Sequence, residues 1–522
     1  MNIENSTIVP GQDTLQSVFE KGAQRYKDNR AFICGEQNIN YAELAQGARN
    51  FAAYLQHETD LQPGDRIAIQ LPNCIAYPVV TWGAILAGLV IVNVNPLYTK
   101  NELAHIYQDS GAKALIIPGA SIELVSSILD DSAISQVCYI SGVSPPTENL
   151  NRPVVSYQRA LELGSKHQYV AVNSHPNSMA LLQYTGGTTG RAKGAVLTHN
   201  NLISAAHSFW NTTDIFNLGD EVFVAPLPLY HVYAFVAHIV VGVAYGVTSI
   251  LIPNPRDIEA FCTALEHTPF SLFVGINTLF GALCSNEQFI KLDFSKLKFT
   301  LSGGMALNQS IAHRWEQITG CPINEGYGLT ESSAGVIINH GQTCRRLGSV
   351  GKPMLGVEIK IVDKLGQSVK VGDRGELHIK GPQVMQGYWQ NTAATCAVLK
   401  DGWLATGDIA TQDEDGFVYI VDRIKDVIIV SGFNVYPAEI EQVVNRLHEV
   451  QECAAIGVAS QQTGEAVQLF VVVNDTSITA DDIIAHCREN LAAYKVPKTV
   501  KVIDGLPKSP VGKVLKRMLQ PQ

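Results

Sequence analysis

A chain of 522 residues, 46% of them hydrophobic and 16% charged, can bury a sizeable core, which excludes a disordered polypeptide. Its net charge of −10 gives no electrostatic footprint for nucleic acid. At roughly 100–200 residues per domain, the length suggests about three or four units, or one large domain with a smaller one.

The first residues, Met1 to Asn5, lack a basic stretch and an apolar stretch, so no secretory leader is expected. The ten cysteines stand singly, with no Cys-x-x-Cys and no zinc-like spacing. Reduced, mostly buried thiols in a cytoplasmic protein follow. From about residue 40, helix and strand alternate. Apolar spacing predicts a helix over 41–55, a strand over 66–71, an apolar helix over 77–92 running toward another strand, and a strand over 114–117. Such alternation implies βαβ units and a parallel sheet. The stretch 232–252 is apolar apart from His238 and is about long enough to cross a bilayer. However, Gly242 and Gly246 interrupt it, and 247–252 reads as a strand, so a buried helix followed by a core strand is expected.

After about residue 345 the polarity alternates strictly, as in 357–362 and 376–380, with turn residues between. That pattern is antiparallel sheet with one wet face. The fold class expected is α/β: a large N-terminal domain over 1–421, with a β-barrel-like subdomain at roughly 345–421, and a small α+β domain over 427–522. The polar knot 422–426 lies between them. In the small domain, a helix over 436–447 starts at Pro437 and Glu439. Strands follow near 454–458 and over 467–473, and Thr479 with Asp482 begins another helix.

Chemistry enters at the end of the strand-like run 181–185. Tyr184 and Thr185 lead into Gly186, Gly187, Thr188, Thr189 and Gly190, followed by Arg191, Ala192, Lys193 and Gly194. Glycines let backbone N–H groups converge on an anion, threonines add donors, and the cations neutralise charge. The loop by itself implies an anion site, and the chemistry expected there is polyphosphate binding. It is not a Walker A loop, because Gly rather than Ser or Thr follows the lysine.

The same run resembles the signature of the adenylate-forming superfamily, which includes acyl-CoA synthetases, amino-acid adenylation domains and luciferases. Gly186 and Ala192 replace the commoner Ser and Pro. Gly186 and the following Leu197-Thr-His-Asn200 are similar to bacterial long-chain fatty acid–CoA ligases. Further motifs in the same order extend the resemblance over essentially the whole chain.

The resemblance implies a role for each motif. In Pro226-Leu-Pro-Leu-Tyr-His-Val-Tyr233, His231 would lie near the substrate carboxylate, and His231, Tyr233 and Phe235 would line an acyl pocket. Ser302, Gly303 and Gly304 would pack along adenine. Within Glu325, Gly326, Tyr327, Gly328, Leu329, Thr330 and Glu331, Tyr327 would stack on the base, Thr330 would bond the α-phosphate, and Glu331, with Thr188, would hold Mg²⁺. Asp408 and Arg423 would contact the ribose. Lys425 would be a hinge, Gly432 and Phe433 would face coenzyme A, and Lys513 would contact carboxylate and phosphate during adenylation. Lys508 and Lys516 read as solvated charges. Mg²⁺, ATP and coenzyme A are implied together with a fatty acid.

The implied reaction joins a medium- or long-chain fatty acid to AMP and then to the thiol of coenzyme A. The alternative acceptor is an acyl-carrier protein. Amino-acid adenylation is disfavoured because 232–235 carries no acid to hold an amine. Intact Glu331, Lys425 and Lys513 count against a nucleotide-responsive binding protein without turnover. A luciferase-like oxygenase shares these motifs. Acyl length depends on packing around Tyr233, Phe235 and 273–278, which sequence does not display. Peripheral contact with the inner face of the membrane and a homodimer complete the expectations.

Overall fold

In the computed structural model, residues 8–140, 150, 152–185, 191–305, 307–340, 345–474, 477–508 and 514–520 are described. The helix Tyr41–His57 shows how local sequence starts an element. Asn40 accepts from the Glu43 amide while Glu43 returns a bond to Asn40, a reciprocal cap. Tyr41, Leu44, Ala48, Phe51 and Leu55 then bury one face at helical spacing. The helix packs on Ala76–Leu86, which is buried all round.

Two large sheets result. In the eight-stranded sheet, Val154–Ser156, Gln136–Ile140, Ala114–Pro118, Arg66–Ile69, Val90–Asn93 and Met179–Thr185 run parallel in that spatial order. Lys193–Thr198 then returns antiparallel beside Met179–Thr185. In the nine-stranded sheet, Arg30–Cys34, Thr248–Leu251, Val222–Ala225, Leu272–Gly275, Phe299–Ser302 and Ile323–Leu329 are parallel neighbours. The parallel βαβ expectation is thus met, and both sheets present the C-terminal ends of strands, where open α/β sheets bind ligands.

The apolar stretch after His231 is a buried helix and then a core strand. It comprises Val232–Ala234, a π turn at Phe235–Val240, and Val241–Tyr245, which ends at Gly246 with φ +73°. Tyr41 Oη lies 2.6 Å from the carbonyls of both Gly242 and Val247, fixing this segment to the first long helix. His238 is fully buried 3.1 Å from Ser249 Oγ, and burial pushes its imidazole down to about 3. Among the described residues, no helix is long and apolar enough to cross a membrane.

Glu358–Val362, Gly375–Lys380, Trp403–Gln412 and Val418–Arg423 form an antiparallel sheet with Leu399–Lys400. Ile361, Leu377, Ile379 and Leu404 point inward, as strict alternation requires. A single 3₁₀ turn, Ile424–Asp426, leads from that sheet to the next. The last sheet contains Ile428–Val430, Phe433–Val435, Val450–Ser460, Gly464–Val473 and Thr499–Val502. Pro437–Val444 and the reciprocally capped Ala480–Asn490 pack on each other, and the former also packs on Val450–Ser460. The nine cysteines among the described residues are free thiols.

Candidate active site

A cleft of about 2960 Å³ opens between the two large sheets, the antiparallel sheet and the small domain. Its centre is built by strand register. Asp408 on Trp403–Gln412 stands opposite Arg423 on Val418–Arg423. Arg423 Nε lies 3.1 Å from Asp408 Oδ1, and Tyr327 donates its hydroxyl to Asp408 Oδ2 at 2.5 Å. Asp408 is buried yet lines the cleft, so a charged acceptor is held still at its wall. Burial, and next the Asp408 charge, push the Tyr327 hydroxyl far above its usual range, so it remains a donor.

The motif 325–331 is shaped by a tight reversal. Ile323–Leu329 turns through Thr330–Ser332 into the antiparallel Ala334–Ile338. Ser333 and Ala334 both have positive φ, at 53° and 86°. Such strain costs on the order of 1–3 kcal/mol per residue and concentrates at functional turns. A Cβ on Gly328 would sit 1.8 Å from the Ala334 carbonyl oxygen, so the turn requires glycine there. The reversal directs Thr330 and Glu331 into the cleft. Glu331 Oε1 accepts from the Tyr388 hydroxyl at 2.7 Å, and the Met385 amide donates to the Glu331 carbonyl at 2.8 Å. Lys193 places its ammonium 5.0 Å from the centre of the Tyr388 ring.

Gly186, Gly187, Thr188, Thr189 and Gly190 lie outside the described residues, as does Lys513. The positions beside the glycine–threonine run are braced by the helix Lys100–Ser110. Tyr184 donates its hydroxyl to Asp109, Trp389 donates to the Asp109 carbonyl at 3.1 Å, and His105 Nε2 lies 2.9 Å from the Ala192 carbonyl. Tyr184, Thr185, Arg191 and Ala192 line the cleft.

Glu325 is buried at the cleft wall and accepts from the Gly348 amide at 2.9 Å. Burial pushes its carboxyl up to about 7, against the opposing pull of the Gly348 and Leu307 amides and of Arg345. Gly303, Gly304 and Gly326 line the cleft nearby, whereas Ser302 is buried.

The segment leading to His231 rests on Asn73, a residue that no motif singled out. Its amide nitrogen lies 3.0–3.1 Å from the carbonyls of Ala225, Leu227 and Ile252, and its oxygen accepts from the Leu229 amide at 2.8 Å. That clamp holds the segment 226–231 against the sheet. His231 caps the helix that follows it, accepting from the Tyr233 amide at 3.4 Å. His231 and Tyr233 face the cleft, but Phe235 does not. It is fully buried in the core, and Val236 and Ala237 line the cleft in its place. The π turn accommodates an extra residue per turn, which alters the face each side chain presents. Ala205, Phe209, Val241, Val274, Ile337 and Met354 continue this apolar lining.

On the small domain, the residues facing the cleft include Leu506, Lys508 and Val514 to Arg517. Lys508 pairs with Glu452 at 2.5 Å and Lys516 with Glu441 at 2.8 Å, so neither is the free solvated charge that sequence suggested. Burial alone would lower the Lys516 ammonium, but Glu441 and Asp422 outweigh it and hold it above its usual range. Lys425 lines the cleft, and burial lowers its ammonium. Gly432, at φ +83°, and Phe433 face away from the cleft, with Phe433 exposed and stacked 4.9 Å from Tyr494.

The sheets, the strained carboxylate-bearing turn and the acid–guanidinium–phenol group at the cleft define a nucleotide-using enzyme of two domains. The chain belongs to the AMP-binding enzyme family, whose pattern matches residues 19–389. The AMP-binding enzyme C-terminal domain matches residues 439–513. The chain is 43% identical to the long-chain-fatty-acid–CoA ligase of Yersinia pestis, over 97% of this chain and 94% of that protein. It is 33% identical to the ligase of the same name from Bacillus subtilis, with the same coverage. Among solved structures, ATP-bound MatB from Rhodopseudomonas palustris superposes with a TM-score of 0.86 at 27% identity, over 97% of this chain and 98% of that one.

Proposed function

We propose that this protein activates a long-chain fatty acid with ATP to an acyl-adenylate and passes the acyl group to coenzyme A, releasing AMP and pyrophosphate. The observation that carries the proposal is the convergence on one cleft of the Asp408–Arg423–Tyr327 group, the Thr330–Glu331 turn and an apolar lining led by Val236 and Ala237. The two fatty-acid ligases, each similar over 97% of this chain, support the same reaction.

A carboxylate is a poor electrophile, so it must first be joined to a good leaving group. Asp408 accepts the ribose hydroxyls while Arg423 orients it. Tyr327 offers its ring to adenine, and its hydroxyl fixes Asp408 from the other side. Thr330 donates to the α-phosphate. His231, which lines the same cleft, would lie near the substrate carboxylate. Lys513 and the loop around Thr188 and Lys193 neutralise the charge that gathers as pyrophosphate leaves. The protein thus contributes position and charge rather than covalent chemistry.

Glu331 fits a magnesium ion in this scheme. Its carboxylate faces the cleft and accepts one bond from Tyr388, which leaves further acceptor capacity. Mg²⁺ is commonly held by one or two carboxylates together with substrate phosphates. Thr188 would add a hydroxyl. When bound, the ion would neutralise charge on the phosphates of ATP.

In the second half-reaction, the thiol sulfur attacks the acyl carbonyl and AMP departs. The small domain turns about Lys425 so that Gly432 and Phe433, now directed outward, replace Leu506, Lys508 and residues 514–517 at the cleft. The test is pyrophosphate release across acids of two to eighteen carbons, followed by mass spectrometry with coenzyme A or an acyl-carrier protein as acceptor. Release with long acids and formation of acyl-CoA are expected. No release with any acid overturns the proposal, and acylation of the carrier protein alone replaces the acceptor.

A further inference from the structure

Resting on the two-step reaction proposed above, we infer that Arg374 is a positioning residue for the first half-reaction, a releasable latch that holds the small domain with Leu506, Lys508 and residues 514–517 toward the cleft. Arg374 ends the turn before strand Gly375–Lys380 of the antiparallel sheet, and Glu439 lies in the first turn of helix Pro437–Val444 of the small domain. The Arg374 guanidinium pairs with Glu439 and lies 4.6 Å from the centre of the Tyr436 ring, immediately before that helix. Among the described residues, this is the only ion pair joining the chain before residue 422 to the chain after residue 426. A second tie lies beside it, where the Ala438 amide donates to Asp422 Oδ2 at 2.8 Å.

Three features make this contact reversible rather than a fixed staple. First, Glu439 has another partner, Lys495, on its own domain. When the small domain turns away, the acid keeps that partner, so no uncompensated buried charge is left behind, and leaving one would be the larger penalty. Second, the Arg374 side chain is 43% exposed, so water can solvate it once released. Third, the turn bearing Arg374 is anchored independently of the latch, since Gly372 donates its amide to the Gln412 carbonyl at 2.9 Å. Losing the latch therefore leaves the antiparallel sheet intact.

The geometry also sets the direction of the effect. Leu506, Lys508 and Val514 to Arg517 face the cleft in the latched orientation, while Gly432 and Phe433 do not. The latch thus favours the arrangement that brings Leu506, Lys508 and residues 514–517 to the ATP side of the reaction, and it opposes the one that thioester formation requires. Breaking it slows adenylation and spares, or speeds, acyl transfer. An exposed pair together with a guanidinium–ring contact corresponds to about a three- to tenfold change in the balance of orientations.

The experiment compares full-length wild type with Arg374→Met, Arg374→Lys, Glu439→Gln and the double variant Arg374→Met/Glu439→Gln. Pyrophosphate release reports the first half-reaction, and acyl-CoA formation from supplied acyl-AMP reports the second. For Arg374→Met and Glu439→Gln, the adenylation rate relative to transfer is expected to fall about three- to tenfold. Arg374→Lys, which keeps the charge but loses the planar fork, falls between. The double variant is no worse than the more affected single variant, because the two substitutions break one contact. Raising the salt from low to about 0.5 M lowers the wild-type ratio but not that of Arg374→Met. Equal loss of both half-reactions, no change in either, or the same salt response in wild type and Arg374→Met overturns the latch. A wild type that releases no pyrophosphate with any acid instead overturns the function proposed above.

Discussion

Replacing Glu325 by glutamine is expected to flatten the pH dependence of stability between pH 5.5 and 8. Glu325 is buried, and burial raises its carboxyl from an ordinary 4.5 to about 7. The unfolded chain therefore releases this proton more readily than the native one does. For a group raised on folding, the stabilising contribution is complete below pH 4.5 and is lost as pH rises through 7. At about 1.4 kcal/mol per tenfold, the native state forgoes about 3 kcal/mol above pH 7, of which about 2 kcal/mol falls between pH 5.5 and 8. Glutamine keeps an oxygen that can accept from the Gly348 amide but has no proton to lose. Urea unfolding of both proteins at the two pH values, followed by circular dichroism, measures the difference. Wild type should lose about 2 kcal/mol more than Glu325→Gln over that interval, whatever the absolute offset between them. Identical pH dependence, or a steeper loss in the variant, would refute a raised Glu325 carboxyl.

Other perturbations separate the parts of the cleft. Asp408→Asn removes the charge facing Arg423 and one strong ribose acceptor, so kcat/KM for ATP should fall about 10- to 100-fold in steady-state assays with saturating acid. Lys513→Ala should abolish most pyrophosphate release while acyl-CoA still forms from supplied acyl-AMP, and a variant with normal release would remove Lys513 from the first half-reaction. Ala237→Trp should displace about two or three methylenes of a long acid from the apolar lining. At about 0.8 kcal/mol each, the preference for sixteen over eight carbons should drop roughly thirtyfold in competition assays.

Much of the architecture is legible along the chain because its causes are local. Reciprocal caps such as Asn40 with Glu43 and Thr479 with Asp482 start helices using residues three apart. Strict alternation in Gly375–Lys380 marks a strand with one buried face. The glycine–threonine run after Thr185 reads as an anion site because amides that converge on an anion would need only short-range backbone freedom. The family resemblance rests on such local motifs in a fixed order.

Tertiary structure decided what those motifs touch. Tyr327 and Asp408 are 81 residues apart, and Glu331 and Tyr388 are 57 apart, so no spacing rule could pair them. Asn73 carries no motif signal, yet its contacts tie the segment before His231 to the strand ends at Ala225 and Ile252. Lys508 and Lys516 looked like ordinary surface charges until Glu452 and Glu441 came beside them. Phe235 looked like a pocket residue until a π turn directed it into the core and left Ala237 at the cleft. Sequence by itself determined which chemistry each segment can perform, since that depends on residue types and backbone within a few positions. The partners of each group, and the face each side chain shows, were settled only when distant strands took up register, because register is a property of the assembled sheets.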